Sequence, residues 1–214
     1  MAVSDLKTKA RDAFRRRQYD LAGEMDIEAL RFDANDPETL DGFVTAATKA
    51  REMKGKALFG GMFSKVSMGA SRDPQKRMQT CFRGLAKNPE DKSLLLSLGQ
   101  AAGEAGADET AVAAYKRATQ ADADDAEAWK RLGQFHGRRG RIKEALAALD
   151  EAVRLSPRDQ ESVKLRKNLA AEGALQTGRY DKAGSSRELM KDQDEARRLE
   201  TEDRRQLTAE HAAT

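Results

Sequence analysis

The residues from Lys92 to Asp125, "KSLLLSLGQAAGEAGADETAVAAYKRATQADADD", align without a gap on those from Ala126 to Asp159, "AEAWKRLGQFHGRRGRIKEALAALDEAVRLSPRD". Each block is 34 residues long. Leu95 falls on Trp129, Leu98-Gly99 on Leu132-Gly133, Gly106 on Gly140, Ala111 on Ala145, Tyr115 on Leu149 and Ala118 on Ala152. A period of this length constrains the fold more than any single motif, because it marks a supersecondary unit copied along the chain. Apolar residues three and four apart give each half of the block an amphipathic helical stripe. Small residues at Gly99, Gly133, Ala111 and Ala145 permit two helices to approach closely. Gly106 and Gly140 suit the turn between the helices, and Pro157 stops the second one. One such hairpin cannot bury both of its faces and needs neighbours.

The pattern Trp129, Leu132, Gly133, Gly140, Ala145, Leu149, Ala152 and Pro157 resembles that of the tetratricopeptide repeats. The same phase read backwards gives a first repeat over residues 3–36, with Ala10, Tyr19, Ala22, Ala29 and Leu30 in register. Arg17 stands there in place of the turn glycine, and Ala34 in place of the closing proline. A second repeat opens at Pro37, and Pro89 closes it after "DPQKRMQTCFRGLAKNP". A fifth opens near Gln160, with "TGRYDKAG" (177–184) as its turn, four residues late, so that its first helix is longer. The expected fold is therefore all-α. The resemblance implies a right-handed superhelical solenoid of about five helix-turn-helix hairpins over residues 1–183, followed by a charged C-terminal capping helix and tail over 184–214.

Between its two helices the second repeat carries about 21 residues more than the period allows, an insertion over residues 53–73. It lies in the one strongly basic district. From Arg51 to Lys87 there are nine Lys/Arg against two acids, a net +7, so the rest of a chain of net charge +3 sums to −4. At helical spacing Leu58, Phe59, Met62, Phe63 and Val66 share a face, flanked by Lys54, Lys56 and Lys65. Three readings of this stretch stay open. It is a loop on its own solenoid, a docking element for another protein or another copy of this one, or an interfacial membrane foot.

If the first helices line a concave face, as the resemblance implies, that face carries Lys7, Arg11 and Arg15 from the first repeat. The fourth supplies Lys130, Arg131, Gln134 and Arg138, and the fifth Lys164 and Asn168. These are the candidate partner-binding residues of the groove, and the eight insertion residues named above are the second candidate set. Basic patches at the ends of the groove suit an acidic, extended segment of another protein. Some relatives grip a terminal carboxylate with Lys and Asn on successive first helices. That order is missing here, where Asp41, Thr45, Ser97 and Gln100 stand.

The inventory for catalysis is poor. His136 and His211 lie on different elements, and Cys81 falls on an inter-helix position. No metal-ligand spacing or phosphate-cradling glycine loop appears, so neither enzyme nor cofactor is expected. "RRR" at 15–17 and "GRRGR" at 137–141 lack interleaved aromatics, which argues against nucleic acid. A single cysteine and no apolar signal core fit a cytoplasmic protein. The reading is an interaction scaffold or adaptor. The alternatives are a structural protein that self-assembles through the insertion or the C-terminal helix, and a peripheral membrane protein.

Overall fold

The computed structural model describes residues 2–54 and 71–175. Among them it contains α-helices and no strand: α1 (Val3–Arg15), α2 (Tyr19–Phe32), α3 (Pro37–Lys54), α4 (Pro74–Leu85), α5 (Lys92–Glu104), α6 (Asp108–Ala121), α7 (Ala126–Arg138), α8 (Ile142–Leu155) and α9 (160–175). The insertion residues Lys56, Leu58, Phe59, Met62, Phe63, Lys65 and Val66 lie outside the described residues, as does the C-terminal stretch from 176. Of Lys54 only the backbone is described. The chain divides into two compact units, Met1–Arg166 and Lys167–Thr214.

Two devices recur among the described repeats. An acidic residue caps the incoming first helix. Asp91 accepts from Leu94 N at 3.1 Å, Asp125 from Glu127 N at 3.0 Å, and Asp159 from Glu161 N at 3.1 Å. A side-chain acceptor there satisfies an amide that the helix leaves unpaired, worth about 1 kcal/mol. The turn between helices is a left-handed residue, Gly106 (φ 80°) or Gly140 (φ 70°). The following amide reaches back across the helix end, Ala107 N to Ala102 O and Arg141 N to His136 O. Arg17 adopts φ 60° at the equivalent place in the first hairpin, with Gln18 N bonded to Ala13 O. The turn geometry is thus kept even where the glycine is not.

Three hairpins close tightly: α1/α2, α5/α6 and α7/α8. Their close approach rests on small residues. A Cβ on Gly99 would lie 2.8 Å from the Tyr115 ring, and one on Gly133 2.7 Å from Leu149 Cγ. The second hairpin is different. Val44 stands where Gly99 and Gly133 stand, and Arg77 where Ala22, Ala111 and Ala145 stand. Neither residue allows the close approach that small residues give the other hairpins. α3 instead packs on α2 and α6, while α4 packs on α5. Large side chains bridge the wider space, with the Phe43 and Phe82 rings edge-to-face at 5.9 Å. Leu40, Met78, Leu85, Leu95 and Leu98 complete one core running through α3–α6.

Candidate functional site

Because α3 turns onto α6, Arg117 Nε of α6 donates to Asp41 at 2.8 Å and its Nη2 to Thr45 Oγ1 at 3.3 Å. Asp41 and Thr45, assigned to the concave face by phase, are thereby occupied from within the chain. Among the pockets of the described residues, one lies over α1–α3 and another over α5–α7.

The pocket over α5–α7 holds about 320 Å³. Its floor is Tyr115 and Phe135, 2% and 4% exposed, with ring centroids 5.7 Å apart. Burial pushes the Tyr115 hydroxyl pKa up, against the pull of Arg138 and Arg131. Its rim carries Arg131, Gln134, Arg138 and Arg139 opposite Gln100 and Glu104. Glu104 is committed to Arg77 and Gln100, and the Arg77 guanidinium holds its carboxyl below the usual range. Arg139 donates to Asp108 at 2.7 Å and to Gly103 O at 3.0 Å, and stacks 5.3 Å from the Phe135 ring centre. Arg131 Nε donates to Glu127 at 2.8 Å. Arg138 is exposed and makes no hydrogen bond or ion pair among the described residues. It stands at the end of α7, the one guanidinium of the rim without an acid of its own among those residues.

The other groove residues read from the sequence divide by what already holds them. Lys130 is 15% exposed and reaches Glu127 at 2.8 Å, Glu161 at 3.1 Å and Asp159 at 3.3 Å, so it ties α7 to the start of α9. Lys7, at the same repeat position, pairs with Asp36. Both lysines therefore tie a first helix to the acid that caps the next, a role hidden until their shared phase is set beside the caps. Arg11 pairs with Glu38 at 2.8 Å and Arg15 with Asp12 at 3.6 Å. Gln134 donates to Glu161 at 3.1 Å. Lys164 is exposed on α9, and Asn168 is exposed in the second unit.

The pocket over α1–α3, about 440 Å³, brings together Lys7, Arg11, Arg15 and Phe14 of α1 with Glu38 and Asp41 of α3. Asp26 of α2 also lines it, a residue that the sequence reading passed over. The signal was present: Asp26 occupies the repeat position of Tyr115 and Leu149, where a large apolar side chain belongs. It is 8% exposed, and burial, helped by Asp36 and opposed by Arg11 and Lys7, raises its pKa to about 7.

The remaining chemistry-bearing side chains are core residues. Cys81 is 2% exposed, and burial raises its thiol to about 11, far from a nucleophilic thiolate. His136 is 5% exposed, its pKa lowered by burial and then by Arg141, and its Nδ1 has no partner among the described residues. No group of His, Cys, Asp and Glu among the described residues could hold a metal ion. No helix among them is long and apolar enough to cross a membrane.

The tetratricopeptide repeat family model matches residues 126–159, the block that the self-alignment isolates. Residues 126–159 are thus a tetratricopeptide repeat. Similar solved structures include MamA (41-end) from Desulfovibrio magneticus RS-1, at 16% identity over 80% of this chain and 85% of that one, TM-score 0.44. YrrB, described as a TPR protein with an unusual peptide-binding site, gives 16% identity over 76% and 90%, TM-score 0.44. TTC0263, a thermophilic TPR protein of Thermus thermophilus, gives 21% over 79% and 98%, TM-score 0.42. A comparison with curated proteins finds no match.

Proposed function

We propose that this repeat protein is a non-catalytic interaction scaffold that captures an acidic, extended segment of a partner protein in the α5–α7 pocket. The observation that carries the reading is Arg138, an uncommitted guanidinium at the mouth of an aromatic-floored cavity. Gln134 and Arg131 stand one and two helical turns before it on the same rim. A guanidinium fork matches a carboxylate geometrically, and the Tyr115–Phe135 floor gives the segment's apolar atoms a dry surface. The +7 district around the insertion supplies a second attraction for the same acidic partner, and two linked contacts raise affinity through effective concentration.

The test is selection of a random displayed peptide library on the full chain, with Arg131→Glu/Arg138→Glu as counter-bait. Far-ultraviolet circular dichroism first establishes that both baits are folded. The wild type should enrich peptides with two or more Asp/Glu that the counter-bait does not retain. Enrichment of the same peptides by both baits would refute the assignment of this pocket.

A further inference from the structure

Asp26 is a buried acid in an otherwise balanced pocket. Each cation on its walls has an acid: Lys7 has Asp36, Arg11 has Glu38 and Arg15 has Asp12. Asp41 has Arg117. Asp36 is further held by Thr39, whose hydroxyl and amide donate at 2.5 and 3.2 Å. Asp26 alone has neither a hydrogen bond nor an ion pair among the described residues, although it is only 8% exposed. Its carboxylate lies against the bare backbone of α3, where a Cβ on Gly42 would come within 3.1 Å of Oδ2. Ordinarily a buried acid without a partner costs stability and is replaced or paired. Here it faces a cavity wide enough for a side chain, with Ala10 and Phe14 as apolar wall.

The geometry points to a second subsite: the α1–α3 pocket takes one positively charged side chain, a lysine or arginine, whose head pairs with Asp26 and whose stem lies on Ala10 and Phe14. A single positive charge is what the walls lack. An anion would instead have to draw Lys7 or Arg11 away from carboxylates they already hold. A neutral side chain would leave Asp26 as it is. The inference extends the capture reading to the other end of the first unit, and rests on it only for the origin of the side chain. The segment recognised would then combine acidic residues with a basic one.

The test uses the full chain, isotopically labelled, and N-acetyl-lysine methylamide as probe, with the norleucine analogue as the neutral control. Amide and carboxyl shifts at residues 7–15, 26 and 36–45 report binding. The lysine probe should move them with a dissociation constant at least tenfold lower than that of the norleucine analogue. It should also bind at least tenfold more tightly at pH 8.5 than at pH 5.5, because Asp26 gains its charge between them while the lysine keeps its own. Lys7, Arg11, Arg15, Glu38 and Asp41 line the same pocket and Asp36 acts on Asp26 through its charge, so Asp26→Asn separates their part, and in that variant the pH dependence should vanish. Equal binding of the two probes, unchanged affinity across pH, or undiminished binding by Asp26→Asn would each overturn the subsite. Should Asp26→Asn not fold, the comparison of probes and of pH on the wild type still decides. Either failure leaves the arginine pocket standing, since no peptide is involved.

Discussion

Replacing Asp26 by asparagine should stabilise the protein, and the gain should depend on pH. In the fold the Asp26 carboxyl titrates at about 7, and in a free chain at about 3.8. The folded state therefore holds the proton more tightly. Well below pH 3.8 the carboxyl is neutral in both states and costs nothing. As pH rises from about 4 to 7 the unfolded chain ionises and the fold resists, so stability falls, and above pH 7 the loss levels off. A shift of this size corresponds to about 4 kcal/mol at one extreme. The pocket is open to water, so about 2–3 kcal/mol is the expected span. Asparagine matches the neutral acid in shape and carries no such cost. Urea unfolding of wild type and Asp26→Asn at pH 4.5 and 8.5 measures the difference directly. Taking the difference between the variants cancels the titration of Asp36, Glu38 and the other shared groups. The variant should gain about 1 kcal/mol at pH 4.5 and about 2–3 kcal/mol at pH 8.5. A gain that is the same at both pH values, or a loss at pH 8.5, would show that Asp26 is stably ionised and already compensated, and the reasoning would fail.

Other predictions follow from the same geometry. Arg17→Gly should raise stability by about 1 kcal/mol, because φ 60° strains an L side chain and not glycine, and the denaturation midpoint reads it. Gly99→Ala should lower stability by about 1–2 kcal/mol despite alanine's better helix propensity, since the new methyl meets a rigid Tyr115 ring at 2.8 Å, and thermal unfolding would show the loss. Lys130→Ala should cost about 1 kcal/mol and less at high salt, since three carboxylates lose their shared cation, which urea unfolding at 0.05 and 1 M NaCl would detect. Cys81 should react with a maleimide only as fast as the core opens, so urea should accelerate labelling by orders of magnitude.

The helical hairpins were legible because their physics is local and periodic. Glycines at 106 and 140, acids at 91, 125 and 159 and small residues at 99, 111, 133 and 145 each do the same job at a fixed interval. The phase is strong enough to put Arg17 in a glycine's turn, where it adopts the left-handed conformation. What escaped depends on which residues break the period. Val44 and Arg77 stand at close-approach positions of the second hairpin, where α3 packs on α2 and α6, and the expected line of first-helix side chains is interrupted at Asp41 and Thr45. Charge alone misjudged availability, since Lys7 and Lys130 look free in a sequence and are engaged with helix-capping acids in the fold. Phase puts Arg131 and Arg138 on one helix face, whereas the aromatic floor beside them depends on the packing of α6 against α7. Asp26 went unread because a single acid in a core position stands out only against its repeat equivalents.

The central claim is that Arg138 receives an acidic side chain. The most direct measurement takes a peptide enriched by the wild-type chain and the same peptide with its required acid changed to lysine. Fluorescence anisotropy then gives the dissociation constant of each against wild type and Arg138→Glu. The account predicts at least a tenfold loss for either single change, and recovery of a substantial part of it when both changes are combined. Equal affinities in all four pairings, or no recovery in the doubly changed pair, would contradict it.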